Sequence, residues 1–163
     1  MTDYDLKLQQ LQKEFIEINT KRANKWQFTP DQKAIYDFVI KSQRYTTFNI
    51  AGYDIILKVG NEDFGFKHFL LKHYGTGCVG EIKANDILKL GNVIKHNISV
   101  PAKEDKIKFI QTKGDLKYSV VLKPQKDGKL VVSFFSSKEE IKIIEQIEII
   151  NKISISVEIE TKF

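Results

Sequence analysis

The second half of the chain contains three apolar segments that lie so close together that they constrain the fold more than any other feature. Ile107–Thr112, Leu116–Lys123 and Leu130–Ser136 are rich in β-branched and aromatic residues, as strands are. The connections, 113–115 and 124–129, are short and contain Gly and Asp, which favour turns. Because loops of this length join strands that run in opposite directions, we predict an antiparallel meander.

The first 45 residues predict helices instead. An apolar stripe with alternating spacings of four and three is typical of an amphipathic helix, and it is formed by Tyr4, Leu8, Leu11, Phe15 and Ile18. A second helix is predicted to begin at Thr29-Pro30-Asp31-Gln32, which combines an N-cap, a proline at the first helical position and a capping box. We expect it to end near Gln43. A helical hairpin of this kind docks on the rest of the domain or on a second copy, so it is a candidate for oligomerisation.

The remaining segments complete an α+β pattern. Residues 45–59 predict a strand with a bend at Gly52, and residues 63–74 predict a helix. A further helix is expected from about Asp86, with Gly91 inside it. Residues 138–151 fit either a helix or a strand, and Ile153 to Ile159 alternate as a half-buried strand does. The predicted fold class is therefore α+β, with N-terminal helices followed by an antiparallel sheet.

The composition allows a polyanionic partner without requiring one. The net charge is +5 and the pI is about 9.1, although lysine is also enriched by AT-rich coding. Cys78 is the single cysteine, so an intrachain disulfide is impossible. The first ten residues are polar and no apolar run approaches the roughly 18 residues of a membrane span, so we expect neither a signal peptide nor a membrane partner. The expected site of action is the cytoplasm.

Residues 67–73 contain two of the three histidines and two lysines: Lys67, His68, Lys72 and His73. Imidazole titrates near neutrality, so paired histidines beside cations suit proton transfer around a phosphate. The alternative is an ordinary surface helix. The histidines are five positions apart, which is about 140° around a helix, so we expect one to face a cleft and the other to cap the helix or pack. Neither HExxH nor CxxC occurs, and we predict no metal and no cofactor.

Two other motifs bear on function. Residues 75–80 are rich in glycine but follow a helix and lack the GK[ST] ending, so they predict a connector better than a phosphate loop. Ser133 and Ser136 flank two phenylalanines at the end of a predicted strand, where a hydroxyl could bind a phosphate oxygen or simply be solvated. Tyr118 on the neighbouring strand could either pack or stack on a base.

The runs GFKHFLLKHYG, EIKANDILKLGNVI, KYSVVL and LVVSFF together resemble the barnase–EndoU–colicin–RelE-like (BECR) nuclease superfamily, in its branch associated with phages and polymorphic toxins. Members show a Lys-His…Lys/Arg-His helix and strands that end in a Thr/Ser-Phe-Phe-like motif. The resemblance covers about Tyr53 to Ser136, and Ser133 stands where threonine is commoner. It implies a helical extension over residues 1–45 and a BECR-like nuclease domain over residues 46–163.

The resemblance also implies a function, a metal-independent endoribonuclease toxin or effector. In such enzymes the 2′-OH of RNA attacks the adjacent phosphorus and leaves a 2′,3′-cyclic phosphate. The implied catalytic residues are His68, His73, Lys72 and Ser133, and the implied substrate-binding residues are Lys67, Thr76, Tyr118 and Ser136. The implied partners are RNA, with tRNA as one candidate, and an acidic immunity or antitoxin protein. Such a domain can be delivered as part of a larger protein. The alternative is a non-catalytic, basic binding module for protein or nucleic acid.

Overall fold

A computed structural model describes residues 1–78 and 80–137, and it has the predicted α+β class. The predictions for residues 138–151 and for the strand from Ile153 to Ile159 lie outside the described residues. Across the part of the chain that is described, no helix combines the length and apolar character needed to cross a membrane.

Six strands form one sheet: β1 (Tyr45–Ile50), β2 (Tyr53–Lys58), β3 (Val100–Pro101), β4 (Ile107–Lys113), β5 (Leu116–Pro124) and β6 (Leu130–Ser137). Their order is β1-β2-β6-β5-β4-β3. The β4–β5–β6 meander that the short turns predict is confirmed, since both of its pairs are antiparallel. One pair differs from the rest. β2 runs parallel to β6 over Ile55–Ile56 and Leu130–Val131, which joins the two halves of the chain.

The described helices are α1 (Asp3–Arg22), α2 (Pro30–Ile40), α3 (Phe66–His73), α4 (Ala84–Leu88) and α5 (Leu90–Lys95). The predicted start of α2 is confirmed, because Gln32 Oε1 accepts a hydrogen bond from the Thr29 amide at 3.1 Å. The predicted stripe on α1 is also confirmed. Leu11 and Phe15 are fully buried, and the other members pack partly buried against the same core.

The single strand predicted over residues 45–59 is wrong, because the chain turns back at Ala51 and Gly52. Both residues have positive φ, 51° and 87°, and β1 pairs with β2 as an antiparallel hairpin. Gly52 thus marks a turn between two strands and not a bend within one.

The single helix predicted from about Asp86 is also wrong, because Lys89 separates α4 from α5. Gly91 lies in the first turn of α5, where a Cβ would come 2.4 Å from Asp31 Oδ2 and 2.5 Å from Ile50 Cδ1. Only glycine therefore lets α5 approach α2 and β1 this closely.

One hydrophobic core unites these elements. It includes residues of α1 and α2 together with the helix-facing side of the sheet, to which Tyr118, Val120 and Phe134 belong. The helices of residues 1–45 therefore share their core with the sheet. The division into an extension and a nuclease domain at residue 45 stays a prediction. The opposite side of the sheet carries Val121 and Ser133, which stand beside each other on β5 and β6.

Candidate functional site

A cleft of about 440 Å³ opens where the β2–α3 connection and the β3–β4 connection meet the side of the sheet opposite the helical core. Its lining consists of Asp63, Phe64, His68, Pro101, Ala102, Lys103, Lys106, Lys108, Val121 and Ser133. Lys108, Val121 and Ser133 are directly adjacent on three neighbouring strands, so they form one row across the cleft. A cleft of this volume is large enough for a nucleotide-sized ligand.

His68 reaches this cleft because α3 packs against β6. Phe66, Phe69 and Leu70 of α3 are fully buried, and the Phe69 ring lies 6.3 Å from that of Phe134. This burial leaves His68 half-buried on the cleft side, with Nδ1 2.7 Å from the carbonyl oxygen of Glu62. Since a carbonyl can only accept, Nδ1 carries a proton and the neutral ring has its lone pair on Nε2.

The cleft is rich in positive charge. Three lysines line it against one carboxylate, Asp63. Lys106 also forms an ion pair of 3.7 Å with Glu104. This pair contributes little to stability, because the Glu104 side chain is 75% exposed. The ammonium groups of Lys106 and Lys123 lie 5.4 and 5.9 Å from the Phe64 ring. The cleft therefore has the electrostatic character of a site for an anion.

Ser133 is 2% exposed, and its Oγ has no hydrogen-bond partner in the described structure. An unpaired buried hydroxyl costs about 1–3 kcal/mol, a cost that a ligand oxygen would offset. Ser119 Oγ is likewise buried and unpartnered but lies outside the cleft lining. An unpaired hydroxyl alone does not indicate a binding site. The hydroxyl of Ser133 does so because it lies in the same cleft as the lysines.

His73 lies beside His68 without lining the cleft. The two ring centroids are 5.7 Å apart in an edge-to-face arrangement, even though five residues separate them on the helix. This matches the expectation that one histidine faces a cleft while the other packs. Burial is the largest cause, and together with electrostatic interactions with His68, Lys7 and Lys72 it lowers the pKa of His73 to about 4. His73 is therefore neutral at physiological pH.

The other predicted site residues lie elsewhere. Lys72 is exposed and outside the cleft lining, and Lys67 Nζ lies 5.8 Å from the Tyr4 ring of α1. Thr76 is exposed, and its Oγ1 accepts a hydrogen bond of 3.3 Å from the Cys78 amide in the loop after α3. Ser136 pairs through its backbone with Tyr118.

Tyr118 lines a different cavity, of about 90 Å³, on the core side of the sheet. Lys113 Nζ lies 5.2 Å from its ring and forms a 3.2 Å ion pair with Asp86 in the same cavity. Burial and the charges of Asp86 and Glu81 raise the pKa of the Tyr118 hydroxyl. The sheet therefore separates Tyr118 from His68 and Ser133.

Sequence reasoning missed the lysines of the cleft and Phe64. Lys106 and Lys108 alternate with Ile107 and Phe109, so the sequence does carry a sign that the two lysines share one side of a strand. Nothing in the sequence indicates that this side faces His68. Among the described residues, no three His, Cys, Asp or Glu side chains are grouped so that they could hold a metal ion.

Comparison of the chain with protein-family models, with curated proteins and with solved structures found no match. The candidate function therefore rests on the cleft itself and on the resemblance of the motifs.

Proposed function

We propose that the cleft is the active site of a metal-independent endoribonuclease that leaves a 2′,3′-cyclic phosphate. The observation that carries the proposal is that His68 and Ser133, which are far apart in the sequence, line one cleft together with three lysines. A base, a hydroxyl donor and cations around one anion-sized space are the groups that RNA transesterification requires.

In this mechanism Nε2 of His68 accepts the proton of the 2′-OH, and O2′ then forms a bond to the adjacent phosphorus. The lysine ammonium groups and the Ser133 hydroxyl stabilise the negative charge of the phosphorane. As the bond from phosphorus to the 5′ oxygen breaks, that oxygen takes a proton from a lysine of the cleft. Proton exchange with water restores both side chains.

His73 has a different role in this scheme from the one that the resemblance implies. A pKa of about 4 leaves it without an imidazolium proton to donate at neutral pH. It instead supports the ring of His68 by edge-to-face contact. We further propose that the chain is a member of the BECR superfamily. An acidic protein that covers the basic cleft is part of the same proposal.

The second candidate is RNA binding without cleavage. It is favoured by one observation: among the residues that line the cleft in the described structure, His68 is the only histidine, the most common general acid or base. A basic cleft with a single such group can hold an RNA phosphate without performing acid–base chemistry on both sides of it.

Incubation of the purified chain with total RNA in EDTA separates the two candidates. We expect cleavage by the wild type and a loss of at least about 10²-fold in His68→Ala, the usual scale for a general acid or base. His96→Ala is the matched control, because His96 is exposed and lies after α5, outside the cleft. Retention of RNA without cleavage would favour the binding module. Equal cleavage by His68→Ala and the wild type would contradict the catalytic assignment.

A further inference from the structure

The loop between β2 and α3 is closed by the side chain of Asn61. Its Oδ1 accepts hydrogen bonds from the amides of Asp63 at 2.8 Å and Phe64 at 3.0 Å. The backbone amide of Asn61 donates a hydrogen bond to the carbonyl oxygen of Phe64 at 3.1 Å. This is an Asx turn, in which a side chain takes the place of a backbone acceptor.

Two glycines restrict the same loop. Gly60 has a φ of 68°, and a Cβ there would lie 2.3 Å from the carbonyl oxygen of Phe64. Gly65 has a φ of 98°, and a Cβ there would lie 3.2 Å from both the Lys58 carbonyl oxygen and the Gly60 Cα. The two ends of the loop are therefore in close backbone contact, which leaves little freedom for the residues between them.

The residue inside this turn is Glu62, whose carbonyl oxygen accepts from His68 Nδ1 at 2.7 Å. The neutral histidine side chain in water exchanges between two tautomers, and the one with its proton on Nε2 is favoured. The Glu62 carbonyl oxygen reverses that preference, because it can accept a hydrogen bond only when Nδ1 carries the proton. His68 lines the cleft, so the lone pair that it can offer there is the one on Nε2.

We infer that Asn61 is a positioning residue, which fixes the Glu62 carbonyl and thereby sets the tautomer of His68 that can act as a base in the cleft. The tautomer follows from the loop geometry alone. Its importance for RNA cleavage rests on the proposed function. A hydrogen-bond partner that sets the tautomer of a catalytic histidine can matter by more than about tenfold for activity.

The test is to read the tautomers of the histidine side chains in the full chain by ¹⁵N NMR, at a pH where the rings are neutral. In the wild type we expect His68 to show a protonated Nδ1 and an unprotonated Nε2. Asn61→Ala removes the acceptor of the turn, and we expect His68 to move toward the Nε2–H form of free imidazole. Asn61→Asp can form the same turn and should restore the wild-type tautomer.

The matched control is Asn49→Ala. The Asn49 side chain donates a hydrogen bond to Asp54 at 3.1 Å, but on the β1–β2 hairpin away from the cleft. This variant should leave the His68 tautomer unchanged. The wild-type spectrum alone overturns the inference if Nε2 carries the proton, so the test survives a failure of Asn61→Ala to fold. A folded Asn61→Ala with an unchanged tautomer would overturn it as well.

The outcomes also separate this inference from the proposed function. If the tautomer shifts as expected while the wild type cleaves no RNA, the positioning role stands and the nuclease proposal fails. If the wild type cleaves RNA and Asn61→Ala keeps both its tautomer and its rate, the nuclease proposal stands and the positioning role fails. When both hold, we expect kcat to fall in Asn61→Ala with little change in KM, because the turn acts on the base and not on the binding of substrate.

Discussion

At the scale of single residues, the two histidines of α3, whose rings lie side by side, differ chemically. His68 is half-buried at the cleft and hydrogen-bonded to a carbonyl, whereas His73 lies among positive charges. Burial is the largest cause of the lowered pKa of His73, and electrostatic interactions with His68, Lys7 and Lys72 add to it. The pair therefore offers one imidazole that lines the cleft and one neutral ring that does not.

This difference predicts a pH dependence of stability. His73 titrates near its ordinary pKa of 6.5 in the unfolded chain and at about 4 in the folded one, so below pH 6.5 the unfolded state binds more protons. The free energy of unfolding should therefore fall as the pH drops from about 6.5 toward about 4, and this contribution should be absent above that range. We expect His73→Gln to unfold in urea with a weaker pH dependence than the wild type over this interval. His96→Gln should keep the wild-type slope, and equal slopes for His73→Gln and the wild type would contradict the shift.

At the scale of elements, α1 holds the C-terminal end of α3. Lys7 Nζ donates to the carbonyl oxygens of Leu71 at 3.0 Å and Tyr74 at 2.7 Å, which α3 leaves without helical partners. The Tyr74 hydroxyl donates to Glu14 on the same face of α1, and burial together with this bond raises the pKa of Tyr74. The helix that carries both histidines is thus anchored by a helix that the resemblance places in an extension.

The anchor predicts a stability difference between two lysines of α1. Lys7→Ala should destabilise the protein by about 1–3 kcal/mol, because it leaves part-buried carbonyl groups without a charged donor. Lys13→Ala removes an exposed lysine from the same helix and should change stability by no more than about 0.5 kcal/mol. Urea unfolding of both variants measures the difference. Equal stability of the two would show that the contacts of Lys7 with α3 contribute nothing.

At the scale of the whole molecule, the cleft forms because the parallel β2–β6 pair brings the first half of the chain against the meander. The meander itself was predictable, because 113–115 and 124–129 are local signals of antiparallel pairing. The parallel pair was not, since no local pattern in Ile55–Ile56 indicates a partner as distant as Leu130–Val131. Long-range pairing of this type is decided by the packing of the complete fold.

The residues of the candidate site could likewise be predicted only in part. His68 and Ser133 could be named from residue type and from the resemblance, and the structure places both at one cleft. Tyr118 was grouped with them, yet it lies on the other side of the sheet, because it is three residues from Val121, which pairs with Ser133. Lys103 was not named, because it lies in a connection whose direction depends on the pairing of β3 with β4.

Cleavage by 2′-OH attack can be tested by comparing a short single-stranded RNA with the same oligonucleotide carrying 2′-deoxyribose throughout, both incubated with the purified chain in EDTA. Attack by the 2′-OH requires that hydroxyl, so we predict RNA fragments that end in a 2′,3′-cyclic phosphate and an intact deoxy oligonucleotide. His68→Ala should leave both substrates intact. Cleavage of both oligonucleotides, or RNA ends without a cyclic or derived terminal phosphate, would contradict the mechanism. An intact RNA with the wild-type protein would contradict the nuclease assignment itself.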